Sequence, residues 1–471
     1  MTLPFVGGGR FWCLSFLCLG LPVSVALALI VPLGEVADEA GHLARAAALA
    51  QGQWVGHRAN VPYADGTVHR VAGVTLDSQW DRLARSRPLD FGGTLAPSDT
   101  AGSDGNIFIP LHTIATYPPL LYAPGALGLS VGDAFDLDPA TTARLGRLAN
   151  IVAYMVLGLA ALAYATRGRA ALFALLCLPM SLSLAASFSQ DGLIIALAAL
   201  AAALLTPWSM TEQGARCRLF GAALAITAIV WAKPPYAPIA AMLLISLPLA
   251  RRDGRFYRRR LSLMALTVIP ALLWTVIATV FVAAPVPRPT YEAGPLWSST
   301  HPALFNSTDP TAQARVLVSA PLRFITVPAK FVFNLKHLIV LAEGMVGIFG
   351  WYDQPLPGAL YVLWGCSLFI PLLIPYREPL PSWSERILLV ASVIFCCWLI
   401  VVSQYLSWTN VGEERVYGPQ GRYLLPLVPL LILAFARRRT GRGPAPDRFT
   451  YLPIVAAMID VLAVPAFYLR F

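Results

Sequence analysis

One short segment carries several ionisable side chains at helical spacing. After a long apolar run the chain reads Glu35-Val-Ala-Asp38-Glu39-Ala-Gly-His42-Leu-Ala-Arg45. On a helix, Asp38, His42 and Arg45 fall at i, i+4 and i+7 and share one face. A carboxylate pair, an imidazole and a guanidinium that converge there could transfer protons or hold a cation. The alternative is that Asp38 and Glu39 only cap a helix and favour its N-terminus through the macrodipole.

Three further segments place aromatic rings or single charges at the ends of apolar runs. Tyr117-Pro-Pro is followed by Tyr122, a pattern that also suits an interfacial aromatic belt. Asp191 ends the polar turn Ser-Phe-Ser-Gln-Asp, where capping of the next helix is an equal interpretation. Lys233 ends another apolar run and is followed three residues later by Tyr236. Its amine could contact a phosphate or extend toward water.

Two motifs in the C-terminal half complete the set of candidates. Asp353 closes a Gly-Trp-Tyr-Asp motif, and Arg422 lies in the motif Gln420-Gly-Arg-Tyr423 at the start of an apolar run. A guanidinium near lipid usually has a partner, and it grips phosphate with two parallel hydrogen bonds. Anchoring to lipid headgroups is the alternative interpretation of Arg422.

The composition defines the elements that must position these side chains. Of 471 residues 57% are hydrophobic and only 13% are charged, well below the charge content of a soluble domain. Basic residues lie in short loops between apolar runs, so the formal charge of +10 follows the positive-inside pattern and not that of a nucleic-acid-binding surface. Six of the seven cysteines lie in apolar runs, which excludes a disulfide framework. The expected fold is an all-α membrane bundle.

The apolar runs predict about eleven transmembrane helices, within a range of about ten to thirteen. We interpret the first run as a retained helix and not as a cleaved signal peptide, because it is long and lacks a clear cleavage site. The predicted spans lie near residues 11–31, 147–166, 170–187, 191–207, 218–233, 235–250, 261–284, 358–375, 386–406, 421–436 and 451–469.

Charge parity predicts a cytoplasmic N-terminus in a multi-pass protein of the inner (plasma) membrane. A single membrane domain of residues 1–471 would then carry two long extracytoplasmic segments, 32–145 and 285–357. The first should contain an amphipathic helix, a polar stretch from Asp90 to Asn106 and an apolar return. Phe331 to Gly350, apolar but interrupted by charges, is predicted to be a re-entrant or interfacial helix.

Taken together, these motifs resemble a bacterial family of multi-spanning membrane proteins of unknown function that is grouped with the GT-C glycosyltransferases. The motifs that carry the resemblance are Asp38-Glu39-x-x-His42-x-x-Arg45, Tyr117-Pro-Pro with Tyr122, Arg147 to Asn150, Ser189-x-Asp191-Gly192, Lys233-x-x-Tyr236 and Gln420-Gly-Arg-Tyr423-x-x-Pro426. The likeness covers most of the chain and implies a GT-C-like bundle. Enzymes of that class take a sugar from a polyprenyl-phosphate carrier at the outer membrane face.

The resemblance implies a role for each candidate residue. An acidic residue in the first outer loop is the catalytic base of GT-C enzymes, a role that falls here to Asp38 with Glu39 beside it. His42 and Arg45 would orient the acceptor or a metal, a divalent cation being possible, and Lys233 with Arg422 would grip the donor phosphate. Residues expected to line the substrate pocket are Tyr117, Tyr122, Asp191, Tyr236, Asp353, Gln420 and Tyr423.

The expected partners are membrane lipid, a polyprenyl-phosphate-linked sugar donor and a glycan, lipid or protein acceptor, with no nucleic acid. Three other functions remain open at this point. A transporter or flippase of lipid-linked glycans would place ionisable residues near mid-membrane on broken helices. A polysaccharide polymerase or ligase would share the topology and the lipid-linked substrates, whereas a non-catalytic scaffold would leave Asp38 far from Arg422.

Overall fold

A computed structural model describes residues 9–62, 67–84, 105–111, 113–206, 212–245, 254–287, 307–373, 375–376, 381–435, 437–438 and 448–469. Helices account for 74% of the structure, which confirms the all-α class. In chain order they are α1 (Gly9–Ile30), α2 (Glu39–Ala50), α3 (Ser78–Ala84), α4 (Ala123–Ala134), α5 (Pro139–Tyr164), α6 (Arg169–Cys177), α7 (Pro179–Ala185), α8 (Asp191–Leu204), α9 (Glu212–Ala232), α10 (Gly254–Ile277), α11 (Pro310–Ser319), α12 (Arg323–Val332), α13 (Leu335–Val346), α14 (Gly358–Phe369), α15 (Trp383–Trp408), α16 (Val428–Ala434) and α17 (Leu452–Tyr468).

Two 3₁₀ helices and two π segments complete the longer helical elements. The 3₁₀ helices are Pro234–Leu244, directly after α9, and Gly421–Leu427, directly before α16. The π segments are Phe16–Gly20 inside α1 and Ala278–Val282, which continues α10. Single 3₁₀ turns occur at Ile114–Thr116, Leu120–Tyr122, Ile370–Leu373 and Arg448–Tyr451.

The prediction of about eleven spans is wrong: the described residues contain six helices long and apolar enough to cross a membrane. They are α1, α5, α9, α10 with its π continuation, α15 and α17. The other five predicted spans are short or broken. The 14 residues of α8 reach only about 21 Å, less than a hydrocarbon core of about 30 Å. The apolar run at 170–187 breaks at Leu178, ahead of Pro179.

The three remaining runs are also too short as helices. Among the described residues of the run at 235–250, a 3₁₀ helix ends at Leu244, and those of the run at 358–375 form the 12-residue α14 and the 3₁₀ turn Ile370–Leu373. Residues 421–436 are divided between a 3₁₀ segment and the seven-residue α16. Hydrophobicity along the sequence does not reveal these breaks.

The ambiguous segment at 331–350 belongs to a bent helix pair. Helices α12 and α13 together are long and apolar enough for a seventh span, but they meet at a bend of 70°. Asn334 caps the start of α13 by accepting a hydrogen bond from Lys336 N at 3.1 Å. A broken span and a re-entrant loop both have this geometry. A re-entrant helix was one of the two forms predicted for this segment.

Helix α8 lies in the core of the bundle. Every residue of α8 except Leu197 and Leu200 is buried, and half of these buried residues are alanine, which permits close approach of neighbouring helices. It contacts α5, α7, α9 and the Gly421–Leu427 segment. The N-terminus of α8, where Asp191 lies, is therefore surrounded by several spans.

The segment between α1 and α5 forms a small cap on one end of the bundle, called here the loop end. It contains α2, α4 and an antiparallel sheet of β1 (His57–Pro62), β2 (Val68–Asp77) and β3 (Asn106–Pro110), in the order β1-β2-β3. The sheet was not predicted. Its buried residues, including Val74 and Leu76, form a second apolar core with α2. Residues 90–104 of the predicted polar stretch from Asp90 to Asn106 lie outside the described residues.

Three pairs of two-residue strands occur elsewhere. They are β4 (Val286–Pro287) with β5 (Ser307–Thr308), β6 (Ile348–Phe349) with β7 (Gln354–Pro355), and β8 (Pro375–Tyr376) with β9 (Arg437–Arg438). The β6–β7 pair closes the turn that carries Asp353.

Candidate functional site

Asp38 lies at the N-terminus of α2 and forms an ion pair with Arg422. The backbone of Asp38 has a left-handed conformation (φ 65°), uncommon for a residue other than glycine. Its carboxylate accepts a hydrogen bond from the Arg422 guanidinium, which also donates to the Ala37 carbonyl at 3.0 Å. The Asp38 side chain retains 25% of its accessible surface, whereas that of Arg422 retains 3%. Asp38 is thus the exposed member of the pair.

Arg422 is held in place by a close backbone contact at Gly421. A Cβ added to Gly421 would lie 2.1 Å from the Leu341 carbonyl oxygen of α13, so any larger residue would force the two elements apart. The Gly421 amide also donates to the Tyr352 hydroxyl at 2.9 Å. The glycine of the Gln-Gly-Arg-Tyr motif therefore allows the Arg422 backbone to lie against α13.

Asp191 joins the ion pair to Lys233. Its carboxylate accepts a hydrogen bond from the Lys233 ammonium, and its second oxygen lies 3.6 Å from Arg422 Nε. The Asp191 side chain is 5% exposed. We call Asp38, Asp191, Lys233 and Arg422 the charge cluster. With two carboxylates and two cations its formal charge is zero.

Tyr423 packs against the two cations of the charge cluster, and Tyr236 holds Tyr423 in place. The Tyr423 ring lies under both cations, with its centroid 4.7 Å from Lys233 Nζ and 5.3 Å from Arg422 Cζ. Cation–π contacts of this kind stabilise a positive charge that is removed from water. Tyr236 donates its hydroxyl to the Tyr423 carbonyl at 2.8 Å, which fixes the Tyr423 backbone.

His42 forms an aromatic group with Tyr117 and Tyr122 beside the charge cluster. Its Nδ1 lies 2.7 Å from the Tyr122 hydroxyl, and its ring stacks on Tyr117 at 6.3 Å between centroids. Burial lowers the pKa of His42 to about 4, and it raises the pKa of both tyrosines. His42 is therefore neutral at pH 7 and suited to orient a hydroxyl group.

Glu39 does not reach the charge cluster. Its carboxylate accepts hydrogen bonds from Arg147 at 2.6 and 2.8 Å and from the backbone amides of Gly34 and Phe188. Arg147 also donates to the carbonyls of residues 28, 31 and 32 at the end of α1. This fully buried pair joins α1, α2 and α5, which assigns Glu39 a structural role beside Asp38.

Three further candidates lie outside the charge cluster. Arg45 is fully buried, and its guanidinium donates to the carbonyls of Gln53, Trp54 and Tyr117. Asp353 is exposed in the turn between β6 and β7, whereas Gln420 is half-buried. Arg45 therefore stabilises the loop end instead of orienting a ligand directly.

A small cavity of about 10 Å³, close to the volume that one water molecule needs, lies against Arg422. Gln420, Tyr352 and Tyr468 contribute to its wall, and the Gln420 Oε1 atom is buried without a hydrogen-bond partner among the described residues. Sequence reasoning singled out Asp353 in the Gly-Trp-Tyr-Asp motif and missed Tyr352. Gly350 could have indicated a role for Tyr352, because a glycine at that position allows the turn that brings the Tyr352 hydroxyl to the Gly421 amide.

The described residues contain no group of three or more His, Cys, Asp or Glu side chains that could hold a metal ion. All three side chains considered as ligands of a divalent cation already have other partners, since Asp38 binds Arg422, Glu39 binds Arg147 and His42 contacts Tyr122.

The fold and the site define a multi-span helical membrane protein with a buried charge cluster where several helices end. Residues 21–431 match the model of a family described as "Predicted membrane protein (DUF2142)". The chain belongs to this family. No protein with a curated description and no solved structure matches it.

Proposed function

We propose that the chain is a GT-C-type glycosyltransferase of the inner (plasma) membrane. It transfers a sugar from a polyprenyl-phosphate-linked donor to a glycan, lipid or protein acceptor of the cell envelope. In this proposal the N-terminus is cytoplasmic, and the loop end with the charge cluster faces outward, in accord with the basic loops at the opposite ends of the spans.

The observation that carries the proposal is the contact between Asp38 and Arg422, residues 384 positions apart in the chain. Asp38 comes from the segment after the first span, Asp191 from the start of α8, and Lys233 from the end of α9. A partly exposed carboxylate beside a buried guanidinium and a largely enclosed ammonium suits removal of a proton from an acceptor while a phosphate departs.

The proposed reaction is a single displacement at the anomeric carbon. The acceptor hydroxyl gives its proton to the Asp38 carboxylate, and its oxygen forms a bond to the anomeric carbon. The bond from that carbon to the phosphate oxygen breaks, and the phosphate leaves with the electron pair. Arg422 and Lys233 stabilise the charge on the departing phosphate. The configuration at the anomeric carbon is inverted.

The neutral charge cluster implies an order of events. Both cations already have carboxylate partners, so an incoming phosphate must compete with a carboxylate for Arg422. Asp38 is the one to be displaced, because it is partly exposed while Asp191 is buried. Loss of the Arg422 contact leaves the Asp38 carboxylate oxygen free to accept the proton of the acceptor hydroxyl. Donor binding would therefore activate the base.

The test compares cell-envelope glycans with and without the gene and then assays the purified chain. We expect one glycan to be lost with the gene and restored by the native chain but not by Asp38→Asn or Arg422→Ala. Full restoration by both variants at native membrane levels would refute the assignment. A polymerase or ligase would be revealed by a change in glycan chain length or attachment.

The bent pair of α12 and α13 favours a second candidate, a flippase of lipid-linked glycans. Such proteins use discontinuous helices, and the pair contains Lys336 and Glu343. Reconstituted liposomes with a labelled lipid-linked glycan distinguish the two functions. Movement across the bilayer without formation of a glycosidic bond would favour the flippase.

A further inference from the structure

A second, larger cavity lies beside the charge cluster at the loop end. It has a volume of about 240 Å³, enough for part of a lipid chain although below the roughly 300–1,000 Å³ of pockets that enclose a whole drug-sized ligand. Its walls come from the turn before α4, the junction between α9 and the following 3₁₀ helix, and the C-terminal end of α10. The residues that define it here are Thr116, Tyr117, Trp231, Pro234, Trp274 and Ala278.

The walls of this cavity are aromatic and aliphatic. Trp231 and Trp274 meet edge to face with ring centroids 6.0 Å apart, and Trp274 donates its indole N–H to the Thr116 carbonyl at 2.8 Å. The hydroxyls of Thr116 and Thr275 donate to backbone carbonyls of their own segments. These hydroxyls are engaged with protein, so the surface suits a hydrocarbon chain better than the face of a sugar.

The cavity adjoins both the charge cluster and the lipid-facing surface. Tyr117 lines it and stacks on His42, and Pro234 directly follows Lys233. On α10 the residues Leu272 and Val276, near the cavity, are about 60% exposed, as expected for a surface that faces lipid acyl chains. A molecule could therefore place an apolar chain in the cavity and a polar head against Lys233.

We propose that this cavity binds the proximal part of the hydrocarbon chain of a phosphorylated lipid, whose phosphate lies against Lys233 and Arg422. This inference rests on the proposed function, which requires the head group of the lipid to point from the cavity toward the charge cluster. The Trp231 indole N–H, buried without a hydrogen-bond acceptor among the described residues, is available to an oxygen of the same ligand.

The test measures equilibrium binding of radiolabelled polyprenyl phosphate to the full-length chain in nanodiscs. Ala278→Phe fills the cavity, and Ala265→Phe is the matched control, since Ala265 lies on α10 away from the cavity and is exposed. We expect Ala278→Phe to weaken binding by about tenfold or more, because several methylene groups lose their apolar surroundings. The control should bind like the native chain.

Three competitors distinguish the source of the ligand. Unlabelled polyprenyl phosphate and dioleoyl phosphatidate compare an isoprenoid with a diacyl chain, and inorganic phosphate reports the contribution of the head group alone. Competition by either lipid but not by inorganic phosphate supports a chain-binding cavity. Equal competition by all three would overturn it.

Photolabelling keeps the proposal testable if Ala278→Phe does not fold. A polyprenyl phosphate with a diazirine near its phosphate, bound to the unmodified chain, should label peptides containing 113–118 and 274–284. Labelling confined to other segments, or unchanged binding by a folded Ala278→Phe variant, would overturn the proposal. Normal cavity labelling by a chain without transfer activity would instead refute only the glycosyltransferase assignment.

Discussion

Asp38→Asn should abolish transfer while it strengthens binding of the donor phosphate. In the native chain the Arg422 guanidinium binds the Asp38 carboxylate, and a phosphate must displace that carboxylate. The amide removes the competing charge and cannot accept the acceptor proton. A hydrogen bond to a charged group contributes about 1.5–3 kcal/mol, so phosphate affinity should rise about 10- to 100-fold. Loss of a general base typically lowers the rate by about 10² to 10⁴.

The assay measures binding of polyprenyl phosphate and transfer from the sugar-linked donor on the same purified preparation. Asp136→Asn is the matched control, because Asp136 also has a left-handed backbone (φ 51°) and is exposed at the loop end. The control separates the effect of charge at Asp38 from any effect of the amide on the strained backbone. Phosphate binding should also weaken with added salt, more steeply for Asp38→Asn, which leaves the cluster with a net positive charge, than for Arg422→Ala, which leaves it with a net negative charge.

Unchanged or weaker phosphate binding by a correctly folded Asp38→Asn would contradict the displacement order. Asp191→Asn gives the opposite expectation, since Asp191 holds both cations in the site from its buried position. Its loss should weaken phosphate binding even though it removes a negative charge. Stronger phosphate binding by both variants would mean that the net charge of the cluster alone determines its affinity for phosphate.

Three further predictions concern the structural supports of the site. Glu39→Gln should lower the free energy of unfolding by about 3–5 kcal/mol, because it leaves the buried Arg147 guanidinium without its carboxylate partner. Thermal unfolding in detergent measures this loss, and the folded fraction of the variant should retain transfer activity. Gly421→Ala should reduce the transfer rate more than the stability, because the added Cβ would collide with the Leu341 carbonyl and shift Arg422. An unchanged transfer rate would mean that the close approach of Gly421 to Leu341 does not position Arg422. Because the pKa of His42 is about 4 in the folded chain and about 6.5 in the unfolded chain, the unfolded chain binds a proton first as the pH falls. The free energy of unfolding should therefore fall by up to about 3 kcal/mol between pH 6.5 and pH 4, and His42→Gln should flatten this profile.

The charged members of the site could be predicted from the sequence because charges at the ends of apolar runs are costly and need partners. Asp38, Asp191, Lys233 and Arg422 were all singled out in this way, and the structure brings them together. The pairing of Glu39 with Arg147 was not predicted. Adjacent carboxylates on a helix point in different directions, and only the arrangement of α1, α2 and α5 shows which of them faces the core.

The number of spans could not be predicted because hydropathy reports burial in any apolar environment. Helix α8 is as apolar as a span but is surrounded by other helices, and its 14 residues do not cross a hydrocarbon core. Pro179 and the prolines of the 3₁₀ helix at 234–244 shorten other runs. The small sheet was missed because β3 pairs with β2 across a long intervening segment of the sequence, residues 78–105.

The short helices explain why a charge cluster can exist in so apolar a protein. Asp191, at the N-terminus of the short helix α8, contacts Lys233 directly after α9 and Arg422 in the Gly421–Leu427 segment. Lys233 and Arg422 are thereby kept from lipid, and each has a carboxylate and the Tyr423 ring as partners. Mid-membrane charges would serve passage across the bilayer, whereas a neutral cluster at helix ends, with one exposed carboxylate, suits reaction with a lipid headgroup. This placement is why we favour surface chemistry over transport.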